Sequence, residues 1–175
     1  DGSFPGSAED DRAGNGLAGV GDVNGDGIDD FLIGANGYLD PGAAFLFLGD
    51  PAGWDTDTPL ASADAWFLGE VSGDGVGRSL AGAGDVNGDG YDDILIGAGD
   101  HDALGISSGK AYLVLGRPTG WTVSLANADA SFVPEAGVDQ VGETVSSAGD
   151  MNGDGLDDLL IGAPGVDFFN WTSGA

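Results

Sequence analysis

Nine-residue stretches of the form Asp-x-Asn-x-Asp-Gly-x-Asp-Asp occur at residues 22–30, 85–93 and 150–158. Each puts oxygen-bearing side chains at loop positions 1, 3, 5 and 9. A hard cation such as Ca²⁺ takes 6–8 oxygen ligands, and a tight loop can offer them at alternate positions. Position 7 is Ile28, Tyr91 or Leu156, so it can contribute only its main-chain carbonyl. Gly27, Gly90 and Gly155 follow the third ligand, where the chain must turn sharply and glycine is best tolerated. Helical calcium loops that open in this way close with an acidic ligand at position 12. Here position 12 is Ile33, Ile96 or Ile161, inside an apolar run. The closing ligand is therefore the Asp at position 9, and the loop joins two strands. The competing reading is a set of Asx-rich turns, since Asn-Gly and Asp-Gly favour turns. Twelve Asp residues in three short loops would repel one another without a cation, which favours the metal.

The expected ligand sets are Asp22, Asn24, Asp26, Ile28 carbonyl and Asp30; Asp85, Asn87, Asp89, Tyr91 carbonyl and Asp93; and Asp150, Asn152, Asp154, Leu156 carbonyl and Asp158. Three Ca²⁺ ions are expected. Asp29, Asp92 and Asp157 at position 8 are left out of these sets, as residues facing solvent or supporting the loop.

The loops lie within a longer repeat, with periods of 63 and 65 residues. Phe4, Phe67 and Phe132 each lie 18 residues before the first loop Asp. A run ending in Ile-Gly-Ala follows each loop, and Ala43–Gly49 matches Lys110–Gly116. Each full period reads as four short strands: A before the loop, B after it, C the Phe/Tyr-rich run, and D ending at the repeat's Phe. Four strands per period is the unit of a propeller blade. The expected fold is all-β, in propeller blades of four antiparallel strands. The chain reads as a single propeller fragment over 1–175, with repeats at about 4–66, 67–131 and 132–175. It opens on a remnant of D near Phe4, runs through two complete blades, and ends on A and B of a third. That phase favours a fragment of a longer propeller over a ring completed by a second copy.

The composition fits this reading. Hydrophobic residues make up 41% and cluster in short runs, and 35 glycines separate them. Four Lys and Arg stand against 30 Asp and Glu, for a net charge of -26. Such a charge excludes a nucleic-acid backbone as partner and disfavours an anionic membrane surface. No stretch approaches the ~18 apolar residues of a membrane span, so no membrane insertion is expected. The absence of cysteine removes disulfides and thiolate metal sites. The start at Asp1 suggests a mature or trimmed product.

The motif Gly-Asp-Val-Asn-Gly-Asp-Gly, then Asp-Asp, then Leu-Ile-Gly-Ala, with Ala163-Pro164 after the third copy, resembles the FG-GAP repeat family. These are the blades of the integrin α-subunit β-propeller. Phe67-Leu68-Gly69 approximates the family's Phe-Gly element, while Phe4-Pro5-Gly6 and Phe132-Val133-Pro134 depart from it. The resemblance implies calcium in the A–B hairpins and ligands engaged on the opposite face, through the B–C and D–A loops. The regular, Asp-rich repeats look more like secreted bacterial members than an animal integrin.

Three functions follow as expectations. The first is an extracellular or cell-surface scaffold, held by structural calcium, for adhesion or for recognition of a protein or carbohydrate ligand. The second is a non-catalytic accessory propeller of a larger secreted enzyme. The third is a self-assembling structural module that completes its ring with a second copy; under the fragment reading the partner is instead the rest of a larger propeller. The B–C loops 35–42, 98–109 and 163–174 are the expected recognition loops. The third holds Phe168, Phe169 and Trp171, which could grip a ligand or pack on the blade. No catalytic residues are expected. His101, the sole histidine, reads as a solvated loop residue, and no Gly-x-Ser-x-Gly elbow is present. Arg12 and Arg78 are expected to pair with nearby carboxylates, Lys110 and Arg117 to lie on the surface, and Trp54, Trp66 and Trp121 to pack between blades.

Overall fold

The computed structural model describes all residues except 1, 7, 9, 103, 104, 106, 122, 136–138 and 166–175. The expected aromatic loop at 166–171 lies outside the described residues. Ten strands run in order: β1 (Ala13–Gly21), β2 (Asp30–Ala35), β3 (Ala43–Phe47), β4 (Ala65–Leu68), β5 (Ser79–Gly84), β6 (Asp93–Ala98), β7 (Lys110–Val114), β8 (Ala130–Phe132), β9 (Thr144–Gly149) and β10 (Asp158–Gly162). They form two four-stranded meanders, β1-β2-β3-β4 and β5-β6-β7-β8, and the hairpin β9-β10. Every pairing within these sheets is antiparallel. The protein is all-β, in propeller blades. Phe4 is in no strand. It packs on Phe31, Phe47 and Trp54, with ring centroids 5.0–5.7 Å away, and so covers the outer face of the first blade.

The second strand of each complete blade is buried on both faces, which explains its unbroken apolar run. Leu32 of β2 turns to a core shared with Val76, Ile94, Ile96 and Tyr112 of the second blade. Ile33 turns the other way, to Phe45, Phe47 and Leu60. In β6 the same alternation sends Ile94 and Ile96 toward the first blade, and Leu95 toward Val145, Leu159 and Ile161 of the third hairpin. Blades therefore share their cores, and each sheet is the wall of its neighbour.

The glycine of Ile-Gly-Ala permits this closeness. A Cβ on Gly34 would overlap the Gly77 carbonyl, and one on Gly97 would overlap the Gly142 carbonyl. Parallel bridges Gly42–Val76, Leu68–Ser124 and Gly109–Val141 tie one blade to the next.

Each hairpin carries the same irregularity just before its loop. The register slips between Gly19 and Gly21, between Gly82 and Gly84, and between Asp158 and Leu159 opposite Gly149. Gly21, Gly84 and Gly149 have φ of 73°, 72° and 63°. A glycine-bearing bulge at a fixed place bends the strand into the loop that follows. The hairpin loops and the β3–β4 connection lie at one end of the sheets. The β2–β3, β4–β5, β6–β7 and β8–β9 connections lie at the other.

Candidate metal loops and the opposite face

In the first loop the position-1 carboxylate is wrapped by main-chain amides. Asp22 Oδ1 accepts from Gly25 N (2.7 Å) and Asp26 N (3.0 Å), and Oδ2 accepts from Gly27 N (2.7 Å). Asn24 Oδ1 also accepts from Asp26 N (2.8 Å), so the side-chain oxygens of positions 1 and 3 meet at one N–H. Asp26 Oδ1 accepts from Ile28 N at 2.9 Å. Asp30 closes the loop by accepting from Val23 N (2.9 Å) and from Gly49 N of the neighbouring connection (2.7 Å).

The second loop repeats the pattern. Asp85 accepts from Gly88, Asp89 and Gly90, and Asn87 from Asp89. Asp89 accepts from Tyr91, and Asp93 from Val86 and Gly116. In the third loop Asp150 accepts from Gly153, Asp154 and Gly155. Asn152 there accepts from Asp154, Asp154 from Leu156, and Asp158 from Met151. The Asp and Asn side chains at positions 1, 3 and 5 therefore accept the same main-chain amides in all three loops.

The donor set is oxygen only, which suits a hard cation. Among the described residues no group of three or more acidic or histidine side chains is gathered so as to hold a metal ion. The hydrogen bonds give the reason. Carboxylate oxygens are turned onto loop amides, and Asn24 Nδ2 and Asn87 Nδ2 donate to Asp26 and Asp89 at 2.9 Å. An amide N–H thus sits against the carboxylate at position 5.

The electrostatics differ between positions. Burial pushes the Asp30 carboxyl above its ordinary range, against the pull of the Gly49 and Val23 amides, and Asp26 and Asp22 add to the rise. Asp93 is raised for the same reasons, with Asp89 and Asp85 as its charged neighbours. Asp150 is lowered, chiefly by the Gly155 and Gly153 amides. Asp85 is also lowered: desolvation acts to raise it, and the Gly90, Gly88, Asp89 and Asn87 amides outweigh that.

Position 8 has a role that spacing could not show. Asp92 Oδ2 accepts from Asp22 N at 2.8 Å, and Asp157 Oδ2 accepts from Asp85 N at 3.0 Å. The main chain reinforces both contacts, through Asp92 N to Asp22 O and Asp157 N to Asp85 O, each 3.2 Å. The second and third loops therefore each hold the first residue of the preceding loop. The Asp-Asp doublet was the available signal: the carboxylate at position 8 serves the neighbouring loop and the one at position 9 serves its own.

At the opposite end each repeat begins with a buried aspartate that closes a turn. Asp11 accepts from Ala8 N, Asp74 from Glu70 N and Val71 N, and Asp139 from Glu135 N. The solvated reading of His101 is wrong. His101 is 7% exposed, and its Nδ1 lies 2.8 Å from Asp74 Oδ1. Burial under the β4–β5 connection removes it from solvent. Ser108 Oγ donates to the His101 main-chain carbonyl at 3.2 Å.

Lys110 and Arg117 are also more than surface charges. Lys110 pairs with Glu70, which also accepts from Tyr112 Oη at 2.8 Å. Glu70 sits below its ordinary range: desolvation acts to raise it, but the Lys110 and Tyr112 hydrogen bonds prevail. Burial and the Glu70 contact raise Tyr112, so it remains a donor. Arg117 pairs with Asp129 and lies over Trp121, 5.9 Å from the ring centroid. Arg78 pairs with Asp100 at 3.0 Å, as expected. Trp54 and Trp121 pack on aromatic neighbours, whereas Trp66 is 40% exposed.

The sequence model of the FG-GAP repeat matches residues 76–114 and 141–175. These two segments are FG-GAP repeats. The first matched FG-GAP segment spans β5 to β7, and the second holds the third hairpin. Loop 22–30 lies outside both segments, yet it makes the hydrogen bonds of loop 85–93, so β1–β4 is the same unit. No curated protein matches the chain.

Proposed function

We propose that the chain is a calcium-binding, non-catalytic β-propeller scaffold for adhesion or ligand recognition outside the cell. The repetition of one oxygen-only loop in three blades carries this reading. Asp22, Asn24, Asp26, the Ile28 carbonyl and Asp30 would hold one ion, and the corresponding residues of loops 85–93 and 150–158 would hold two more. The ion would supply positive charge where Asp22, Asp26 and Asp30 crowd, displacing the Asn24 Nδ2–Asp26 contact. Extracellular calcium modules bind with dissociation constants of ~10⁻⁴–10⁻³ M. At millimolar calcium each such site adds roughly 1 kcal/mol of stability. Recognition belongs to the other end of the blades, where the connections differ from repeat to repeat.

Calorimetric titration of calcium into chelator-treated protein is the test. The expected result is three sites and a melting temperature that rises with calcium. A folded chain that takes up no calcium would leave three Asx-rich turns instead.

A further inference from the structure

A cavity of about 350 Å³ opens between the first and second blades, on the face away from the hairpin loops. Its polar lining is Asp10, Arg12, Asn36, Asp40, Arg78 and Asp100. Two of the chain's four cationic side chains thus meet in one cleft of a molecule whose net charge is -26. The volume falls within the ~300–1,000 Å³ of small-ligand sites.

The repeat supplies an internal control. One period on, the residues at the positions of Asp10, Arg12, Asn36, Arg78 and Asp100 are Gly73, Gly75, Gly99, Glu143 and Gly165, and the connection that corresponds to the one holding Asp40 is four residues longer. The aspartate-closed turn therefore does not need Arg12, because it forms again beside Gly75. Asp74 and Asp11 close equivalent turns, although glycine follows one and arginine the other. Arg12 accepts φ of 56° where the next repeat has Gly75. Leu39 and Asp40, at the lip of the cleft, have φ of 50° and 75°. Consecutive non-glycine residues in that region store strain, and such strain gathers at ligand sites.

We propose that this cleft binds a neutral polyhydroxyl ligand, a saccharide unit. This deepens the recognition role proposed above by naming its place and chemistry. Three carboxylates stand against two guanidiniums, and Arg78 is already engaged by Asp100. A free anion meets a surplus of carboxylates and the field of the whole chain. A free cation meets both arginines. A neutral ligand with many hydroxyls can use donors and acceptors together, since each hydroxyl both gives and takes a hydrogen bond. Asn36 adds a fixed donor. It is 8% exposed, and Asn15 Nδ2 occupies its oxygen at 3.0 Å, leaving the NH₂ to donate. Asp40 is steadied by the Ser72 hydroxyl.

The test is side-chain NMR on the full chain with calcium present, following the Arg Nε–H and Asn NH₂ signals. The probes are methyl mannoside, methyl galactoside and N-acetylglucosamine, with glucuronate and glucosamine as charged controls. At least one neutral probe should shift the Arg12, Arg78 and Asn36 signals saturably, at about millimolar affinity. The double variant Arg12→Gly, Arg78→Glu installs the residues of the second cleft and should weaken that binding about tenfold or more. Asp40→Asn, which keeps shape and tolerates positive φ, should also weaken it and serves if the double variant melts early. Shifts from the charged probes alone, no shift at all, or binding unchanged in the variants overturns the proposal. Calcium uptake is read by calorimetry on the unmodified chain, so failure of either reading is seen separately.

Discussion

Loops 22–30 and 85–93 match bond for bond, from the amides on the first aspartate to the two buried amides on the last. The opposite ends of the same blades agree only in part. The turn-closing aspartates repeat, but Arg12 becomes Gly75, Asn36 becomes Gly99 and Tyr38 becomes His101. Tyr38 packs on Phe45, 5.1 Å between centroids, where the second blade has a buried His–Asp pair. At the hairpin end the fold itself requires the side chains, because they replace missing main-chain partners. At the other end only the turn is required, and the residues around it are free to vary.

The largest expected effect tests that division at Asp30. It is 2% exposed and satisfies two main-chain N–H groups, and Asp93 at 0% does the same. Removing either carboxylate leaves buried donors unmatched. Asp30→Ala and Asp93→Ala should each cost about 2–4 kcal/mol in denaturant unfolding with chelator present. Asp40→Asn at the cleft should stay within about 0.5 kcal/mol. Equal losses at the two ends would erase the distinction.

A smaller effect belongs to Glu70, which joins the β4–β5 connection to β7 through Lys110 and Tyr112. Glu70→Gln should cost about 1–2 kcal/mol at neutral pH. Its folded pKa lies below the ordinary 4.5. The ionised form therefore stabilises the fold above 4.5, and that contribution is lost as pH falls through the folded value. The gap between wild type and variant should close in acid. A gap independent of pH would show that packing, and not charge, holds the connection.

Much of this was open to reading from the residues. Short apolar runs, glycine punctuation and the fixed distance from Phe to loop define the four-stranded unit. They do so because burial on both faces leaves no room for polar alternation. Position 9 was separable from position 8 only in part. Asp30 and Asp29 are adjacent and identical in type, and which one turns inward depends on a bulge at Gly21 that spacing does not reveal. His101 was misread because its partner lies 27 residues away, on another connection. Flanking Asp100 and Asp102 suggested solvent, whereas the blade-to-blade approach buried the ring. The cleft was invisible for the same reason. Its lining comes from three connections and the segment before β1, which only the packed blades bring together.

The smallest effect concerns the doublet itself. Asp92 and Asp157 each hold the first amide of the preceding loop, whereas for Asp29 no preceding loop exists among the described residues. Asp92→Ala removes one charge-assisted hydrogen bond at a partly buried site, and should cost about 1 kcal/mol. Asp29→Ala should stay within about 0.5 kcal/mol. Hydrogen exchange gives the sharper readout: the Asp22 amide should lose protection in Asp92→Ala and keep it in Asp29→Ala. The two substitutions are identical in chemistry and differ only in whether a neighbouring loop stands in reach. Equal exchange at Asp22 in both would mean that the loops stand independently. Selective loss would mean that the hairpin end is coupled from blade to blade, so that order in one loop also steadies the next.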